Sequence, residues 1–319
     1  MPRRTLLFIL LAIPLAAQIP VIFDTDMGND IDDALALAML HAFETRGEST
    51  LLGVTLTKDN PWAPRYVSAI NTYYGRGAIP LGMVKDGKTP DEGKFNRAGI
   101  EEGKHPYGGK TEDAVALLRR LLEAQPDKSV ALIQVGFSTN LARLLDTPRD
   151  RALVAGKVKL LSIMAGNFAE PRGEFNVVTD VPAAQKLARE WPTPAVWSGF
   201  EVGRTIKYPA SSIERDFGPP GAHPVAGGYR AYMKMPYDRE TWDLTSVLYA
   251  VRPDGGYFDL SEAGDVAVDA KGLTSFTPRA GGLHRYLKVN GIQRARILEA
   301  FVWLASQPAG GRPHGSLKK

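Results

Sequence analysis

Five aspartates crowd into ten positions of this chain, in the run Asp24-Thr25-Asp26-Met27-Gly28-Asn29-Asp30-Ile31-Asp32-Asp33. Carboxylates this close raise one another's energy unless protons or a cation compensate. Every donor in the run is an oxygen, and no histidine or cysteine lies near. That donor set suits a hard divalent cation, Ca²⁺ or Mg²⁺. A solvated acidic turn at a helix start would account for one or two aspartates. Five of them directly after an apolar run point to a metal site.

A strand and a helix must hold that cluster. Val21-Ile22-Phe23 is short, apolar and rich in β-formers, while Ile31 to Phe43 carries Ala34, Leu35, Ala38, Met39 and Ala42 at helical spacing. The alternation continues with strands expected at 51–57, 79–84, 130–135, 158–164 and 195–197. Helices are expected at 64–74, 111–124 (Thr111 as N-cap), 140–145, 182–190, 241–251 and 291–306. No repeat and no linker divides the chain. The fold class is therefore α/β: a single domain with an open, mostly parallel, doubly wound sheet and a Rossmann-type core. In such sheets ligands bind beyond the carboxyl ends of the strands, where the aspartates stand. The stretches 86–110 and 207–240 lack a pattern, and 86–110 and 229–242 are candidate flaps over the site.

Composition narrows the function further. The 319 residues are 44% hydrophobic and 23% charged, which excludes wholesale disorder and a polytopic membrane protein. Zero cysteines exclude disulfide scaffolds, Cys-ligated zinc, iron–sulfur clusters and thiol catalysis. Thirty-nine Lys+Arg against 35 Asp+Glu leave +4, spread along the chain, which is no footprint for nucleic acid. The start reads differently from the rest: basic Met1-Pro2-Arg3-Arg4, apolar Leu6 to Ala12, then small residues at Leu15-Ala16-Ala17. This is the layout of a signal peptide over 1–17, cleaved after Ala17, with an apolar run too short to span a membrane. The expectation is an exported protein, periplasmic or extracellular, with no membrane partner after cleavage. Its folded domain would run over 18–306, with a loose tail over 307–319.

A strand ending in Asp-x-Asp also opens the haloacid-dehalogenase-type phosphotransferases, with Asp24 as nucleophile. Gly28 stands where those have Thr or Val, which argues against that reading. A second pattern covers more of the chain. Asp24-Thr25-Asp26-Met27-Gly28, Asp32-Asp33-Ala34, Thr57 to Asn60, Gly136-Phe137-Ser138-Thr139-Asn140-Leu141-Ala142, Glu174-Phe175-Asn176 with Asp180, and Trp242-Asp243 follow in order. This series resembles the nucleoside hydrolase family, the inosine–uridine-preferring group and its relatives.

The resemblance implies a nucleoside hydrolase-like fold and a Ca²⁺-dependent hydrolase cleaving the N-glycosidic bond of ribonucleosides. It implies metal ligands at Asp26, Asp33, Asp243 and the backbone carbonyl of Val135, with Asp26 doubling as general base toward the attacking water. Asp32 would face the ribose, and Asn60, Asn167, Glu174 and Asn176 would grip its hydroxyls. The partner implied is a small nucleoside, and the family's frequent dimers and tetramers make a homo-oligomer an expectation too. Three departures stand out. The acidic loop is two residues longer than in many members, which leaves Asp30 an alternative to Asp26 or Asp32. Trp242 replaces the family's histidine. Gly166-Asn167-Phe168 has an unusual spacing to Glu174. A non-catalytic nucleoside- or sugar-binding protein of the same fold is the reading from another class, and Trp242 is what sustains it.

Single residues carry plainer readings as well. Trp242 and Trp197 suit core packing more than a base-stacking platform, and Asn140 suits a helix cap. His105, His223 and His284 are the histidines placed to supply an acid, although a lone loop histidine is usually solvated. Arg230 and Arg239 either line the site or face water.

Overall fold

A computed structural model describes residues 18–310, so the expected signal peptide and residues 311–319 of the tail lie outside the described residues. The first half alternates strand and helix: β1 (Ile19–Thr25), α1 (Asp32–Thr45), β2 (Ser49–Leu56), α2 (Trp62–Tyr73), β3 (Leu81–Met83), α3 (Asn96–Glu101), β4 (Thr111–Asp113), α4 (Ala114–Glu123), β5 (Val130–Gln134), α5 (Thr139–Leu144), α6 (Pro148–Lys157) and β6 (Val158–Met164). The second half continues with α7 (Phe175–Thr179), α8 (Val181–Glu190), β7 (Ala195–Ser198), α9 (Phe200–Arg204), β8 (Lys207–Tyr208), α10 (Ala210–Asp216), α11 (Pro224–Tyr232), β9 (Arg239–Glu240) and α12 (Trp242–Val251). It closes with β10 (Asp259–Leu260), β11 (Gly264–Val268), β12 (Thr274–Pro278), β13 (His284–Lys288) and α13 (Gly291–Ala305). Among the described residues no helix is long and apolar enough to cross a membrane.

Eleven strands form one sheet, ten of them in the order β12-β11-β13-β7-β6-β5-β1-β2-β3-β4 and β10 on β13. All pairs from β13 to β4 are parallel; β11 runs antiparallel to both its neighbours. The expected open, mostly parallel sheet is present. Strand geometry sends alternate residues to opposite faces. Val21 and Phe23 of β1 therefore pack with α1, α2, α12 and α13, while Ile22 packs with α4, α5 and α8. Beta5 repeats this, with Ala131 and Ile133 on the first side and Val130 and Leu132 on the second.

Several boundaries moved for identifiable reasons. Thr111 is not a helix cap, because 111–113 pairs as β4 on β3; Asp113 caps α4 instead, accepting from the Ala116 N–H at 3.0 Å. Asn140 does not cap either. It lies inside α5, where its Nδ2 donates to buried Asp24 at 2.8 Å and to the Leu56 carbonyl at 3.1 Å. The stretch 86–110 contains α3, and 207–240 contains α10, α11 and the small β8–β9 ribbon.

Helix α1 is enclosed on every side: all residues from Asp32 to Phe43 are buried. A helix apolar all round belongs inside a protein, and the one polar group in its middle, His41, is handled as a neutral ring. Arg76, which only donates, sits 3.4 Å from its Nδ1, so Nε2 carries the proton to Asn71 Oδ1 at 2.8 Å. His223 holds the same tautomer, with Nδ1 accepting from the Val225 N–H and Nε2 reaching Tyr74 at 3.1 Å. Burial, above all, pushes both imidazoles down to about 3.

The unfolded chain protonates these histidines near pH 6.5 while the fold resists. The folded state thus binds fewer protons below that pH, and stability falls as pH drops from about 6.5 toward 3. Each ring contributes up to ~1.4 kcal/mol per pH unit. Thermal melts from pH 7 to 4.5 should show His41→Gln with a lower starting stability but a distinctly shallower loss on acidification. An unchanged slope would contradict the neutral assignment.

Candidate active site

The strand order reverses direction between β1 and β5: the chain steps outward through β2, β3 and β4, then returns to build β5, β6 and β7 on the other side. Loops leaving the two adjacent strands must part there, opening a crevice at their carboxyl ends. A cavity of about 440 Å³ occupies it, lined by the acidic loop, Val135 after β5, the Glu174–Asn176 block and the Trp242–Asp243 pair.

The acidic loop is tightly fixed. Asp24, fully buried, accepts from Thr55 at 2.5 Å and Asn140 at 2.8 Å on one oxygen; its other oxygen has no partner among the described residues. Burial lifts its pKa to about 7. Thr25 donates its hydroxyl to Asp33 Oδ1 and accepts the Met27 N–H at 3.1 Å. Gly28 holds φ +122°, and a Cβ there would stand 2.3 Å from Asn96 Nδ2. Only glycine serves that position, so the Thr or Val of the phosphotransferase pattern has no room.

Asp32 and Asp33 open α1, where the helix dipole favours negative charge. Across the cavity the Asp243 N–H donates to Asp32 Oδ2 at 3.1 Å. Oxygens of Asp32, Asp33 and Asp243 lie within 4.8 Å of one another. Two oxygens on one Ca²⁺ are separated by up to about 5 Å, given bonds of about 2.3–2.6 Å. Asp33 Oδ2 is buried with no hydrogen-bond partner among the described residues. A buried carboxylate oxygen without a donor is expensive unless something positive faces it. Burial first, and the neighbouring carboxylates second, push Asp32, Asp33 and Asp243 well above the usual carboxylate range. An all-oxygen, mutually repelling, under-satisfied set fits a divalent cation.

Asp26 lines the same cavity but stands outside that triad. Its Oδ2 accepts from Asn29 Nδ2 at 2.8 Å, and Asn29 Oδ1 accepts from Lys58 Nζ at 2.9 Å. Burial raises Asp26 to about 6, against the relief from Asn29. The structure thus groups Asp32, which was expected to face the sugar, with Asp33 and Asp243. Asp30 lines the cavity too, its carboxylate gripped by Arg239.

Glu174 and Asn176 are brought to the same cavity. Glu174 caps α7, accepting from the N–H groups of Asn176 (2.9 Å), Val177 (3.2 Å) and Gly166 (3.1 Å), and burial lifts it to about 7. Asn176 Nδ2 donates to the Val135 carbonyl at 2.7 Å and to that of Met164 at 3.1 Å, tying the ends of β5 and β6 together. Trp242 stacks on Phe200 with centroids 5.5 Å apart and planes inclined by 24°, its indole N–H on the Phe200 carbonyl; both line the cavity, whereas Trp197 is core.

Two expected sugar contacts do not reach it. Asn60 donates to the Pro90 carbonyl at 2.8 Å and accepts from the Trp62 N–H at 2.9 Å, so its amide closes a loop crossing. Asn167 accepts from the N–H groups of Ala169 and Glu170 and organises its own turn. The histidines lie elsewhere as well: no histidine among the described residues lines the cavity. Arg230 pairs with Glu102, away from the site. Residues missed from sequence are Asn29, Met164, Arg172, Gly173, Val178 and Phe200. Only Asn29 carried a signal, its place inside the acidic run.

Residues 21–290 match the family model described as inosine-uridine preferring nucleoside hydrolase. The pyrimidine-specific ribonucleoside hydrolase RihA of Citrobacter koseri is 25% identical over 209 residues, covering 62% of this chain and 65% of that protein. The protein of the same name from Shewanella sp. strain ANA-3 is 28% identical over 210 residues, covering 61% and 63%. The chain therefore spans just under two thirds of these relatives. Among solved structures, a plant nucleoside hydrolase, PpNRh1, superposes with a TM-score of 0.71 at 20% identity over 91% of this chain and 99% of that one. The purine-preferring ribonucleoside hydrolase from Gardnerella vaginalis gives 0.73 at 19% over 90% and 98%. At such identities these likenesses speak for the fold, while the sequence match over residues 21–290 decides the family: the chain belongs to the inosine–uridine preferring nucleoside hydrolases.

Proposed function

We propose that this protein hydrolyses the N-glycosidic bond of ribonucleosides, with Ca²⁺ held by Asp26, Asp32, Asp33, Asp243 and the Val135 carbonyl. The observation that carries this is the convergence of three carboxylates, one with an orphaned buried oxygen, at the crevice between β1 and β5. Family membership and the names of the relatives support the substrate class. When bound, the cation supplies Lewis acidity to the sugar diol and the attacking water.

The chain's own residues supply the rest. Asp26 is fixed through Oδ2 by Asn29, which leaves Oδ1 to take a proton from the water. Asn176, its amide N–H groups engaged by two carbonyls, presents Oδ1 to a sugar hydroxyl. Glu174 keeps accepting capacity beyond its three backbone donors. Asp26 and Glu174 line one cavity, and their field would favour the positive charge that an oxocarbenium-like ring bound there develops. Export belongs to the same proposal and rests on the basic start and the apolar run of Leu6 to Ala12.

Ribose release from inosine, adenosine, uridine and cytidine should require Ca²⁺ after chelation. Asp26→Asn should lower kcat by about 10²–10⁴. Cation binding without ribose release from any nucleoside would replace the hydrolase with a binding protein.

Calcium should also stabilise the chelated protein. Saturation at 100-fold above Kd corresponds to about 2.7 kcal/mol, or on the order of 5 °C in Tm. The raised carboxylates oppose folding at neutral pH, and protonation relieves them as pH falls. The Ca²⁺-induced shift should accordingly shrink from pH 7.5 to 5, and Asp33→Asn should weaken it at every pH. A shift that grows on acidification would contradict the carboxylate site.

A further inference from the structure

Resting on the hydrolase reading, we propose that Arg239 stabilises the departing base by donating hydrogen bonds to the negative charge it acquires. Cleavage leaves an electron pair on the base nitrogen, so the cavity needs a donor or a cation beside it. Trp242 offers only its π face, since its N–H is bound to the Phe200 carbonyl at 3.0 Å. The amides of Asn29 and Asn176 are engaged with Asp26 and with Val135 and Met164. No histidine among the described residues lines the cavity, which leaves two arginines, Arg172 and Arg239.

They differ in preorganisation. Arg172 is exposed on the loop before Glu174, with its guanidinium 5.4 Å from the Phe200 ring. Arg239 is gripped at both ends of its fork by Asp30, through Nε at 2.9 Å and through Nη2, and Nη1 approaches Glu240 at 3.3 Å. Its guanidinium carbon lies over the Trp242 ring, 5.2 Å from the centroid, and over that of Tyr232 at 5.3 Å. A guanidinium has five N–H groups; three are engaged, and two remain for a ligand. A donor held still before the charge develops stabilises the transition state most. Asp30 is then a positioning residue.

The step balances without an acid. The C1′–N bond breaks with its electron pair on the base; the water oxygen bonds to C1′ and its proton passes to Asp26. Arg239 keeps its own protons, being too weak an acid to give one up. The base anion is protonated by solvent on leaving. The substrates favoured are ribosides whose base carries an accepting oxygen or nitrogen beside the glycosidic nitrogen, as uracil and hypoxanthine do.

The test compares uridine and inosine with p-nitrophenyl riboside, whose phenolate leaves unaided, using Ca²⁺-loaded protein. Arg239→Gln should cut kcat on the nucleosides by about 10²–10³ while the nitrophenyl substrate changes only a few-fold. Arg239→Lys, which keeps the charge without the fork, should show the same contrast at about tenfold, and carries the test if the glutamine variant does not fold. With Asp30→Asn added to Arg239→Gln, nucleoside cleavage should stay low. Equal loss on both substrates, recovery in the double variant, or a selective loss in Arg172→Gln alone would each overturn the assignment. Failure of the wild type on all three substrates would overturn the hydrolase reading itself, and this proposal with it.

Discussion

Mutual repulsion among carboxylates is the constraint around which the molecule is arranged. Asp24, Asp26, Asp30, Asp32, Asp33, Asp243 and Glu174 are drawn together at the carboxyl ends of β1, β5 and β6. Burial removes the water that would soften their repulsion. The fold answers with fixed partial charges: the dipole of α1 beneath Asp32 and Asp33, hydroxyls at Thr25 and Thr55, and backbone N–H groups on Asp32 and Glu174. Lys58 and Arg239 supply full positive charges on two sides, each through a contact with the acidic loop. The balance stays negative, and the orphaned oxygen of Asp33 marks where the deficit is felt.

Holding such a cluster requires a stiff frame, which explains the burial of α1. Its Ala- and Leu-rich body lets sheet and helices approach from all sides, and the enclosed helix cannot tilt without disturbing several of them. The cavity combines two characters. Carboxylates and Asn176 suit a polyhydroxylated, cationic-leaning ring, whereas Phe200, Trp242 and the two arginines suit a flat, electron-rich one.

Much of this was legible because the signals were local. Short apolar runs in β1, β5 and β6 marked buried parallel strands, and the acidic run marked the metal-like centre. What escaped depended on tertiary partners. Asn60, Asn140 and Asn167 have the same side chain, yet one closes a loop, one satisfies a buried aspartate and one organises a turn; nothing in residue type separates these. Helix α6 buries little besides Asp150 and Val154, so no apolar stripe announced it, although Thr147 and Pro148 form a regular helix start. The strands β10 to β13 at one end of the sheet are short and half-exposed, and lack the continuous apolar runs of the centre. Arg239 was visible only as an arginine among aromatics; its pairing with Asp30 spans 209 positions.

At the acidic loop two glycines, Gly28 and Gly93, bring two backbones together. A Cβ at Gly93 would meet the Gly28 carbonyl at 2.4 Å, and Lys58 and Asn60 bind the carbonyls of Thr89 and Pro90. The 89–93 segment is thus sewn onto the loop that carries the aspartates, and neither side tolerates length changes without the other. The opposite wall is held at fewer points: Asn176 reaches the Val135 carbonyl and Arg239 pairs with Asp30, while Arg172, Phe175 and Val178 stand exposed between them. A substitution that reshapes the cavity is therefore absorbed most easily at the exposed 172–178 stretch and least easily along the sewn 89–93 side.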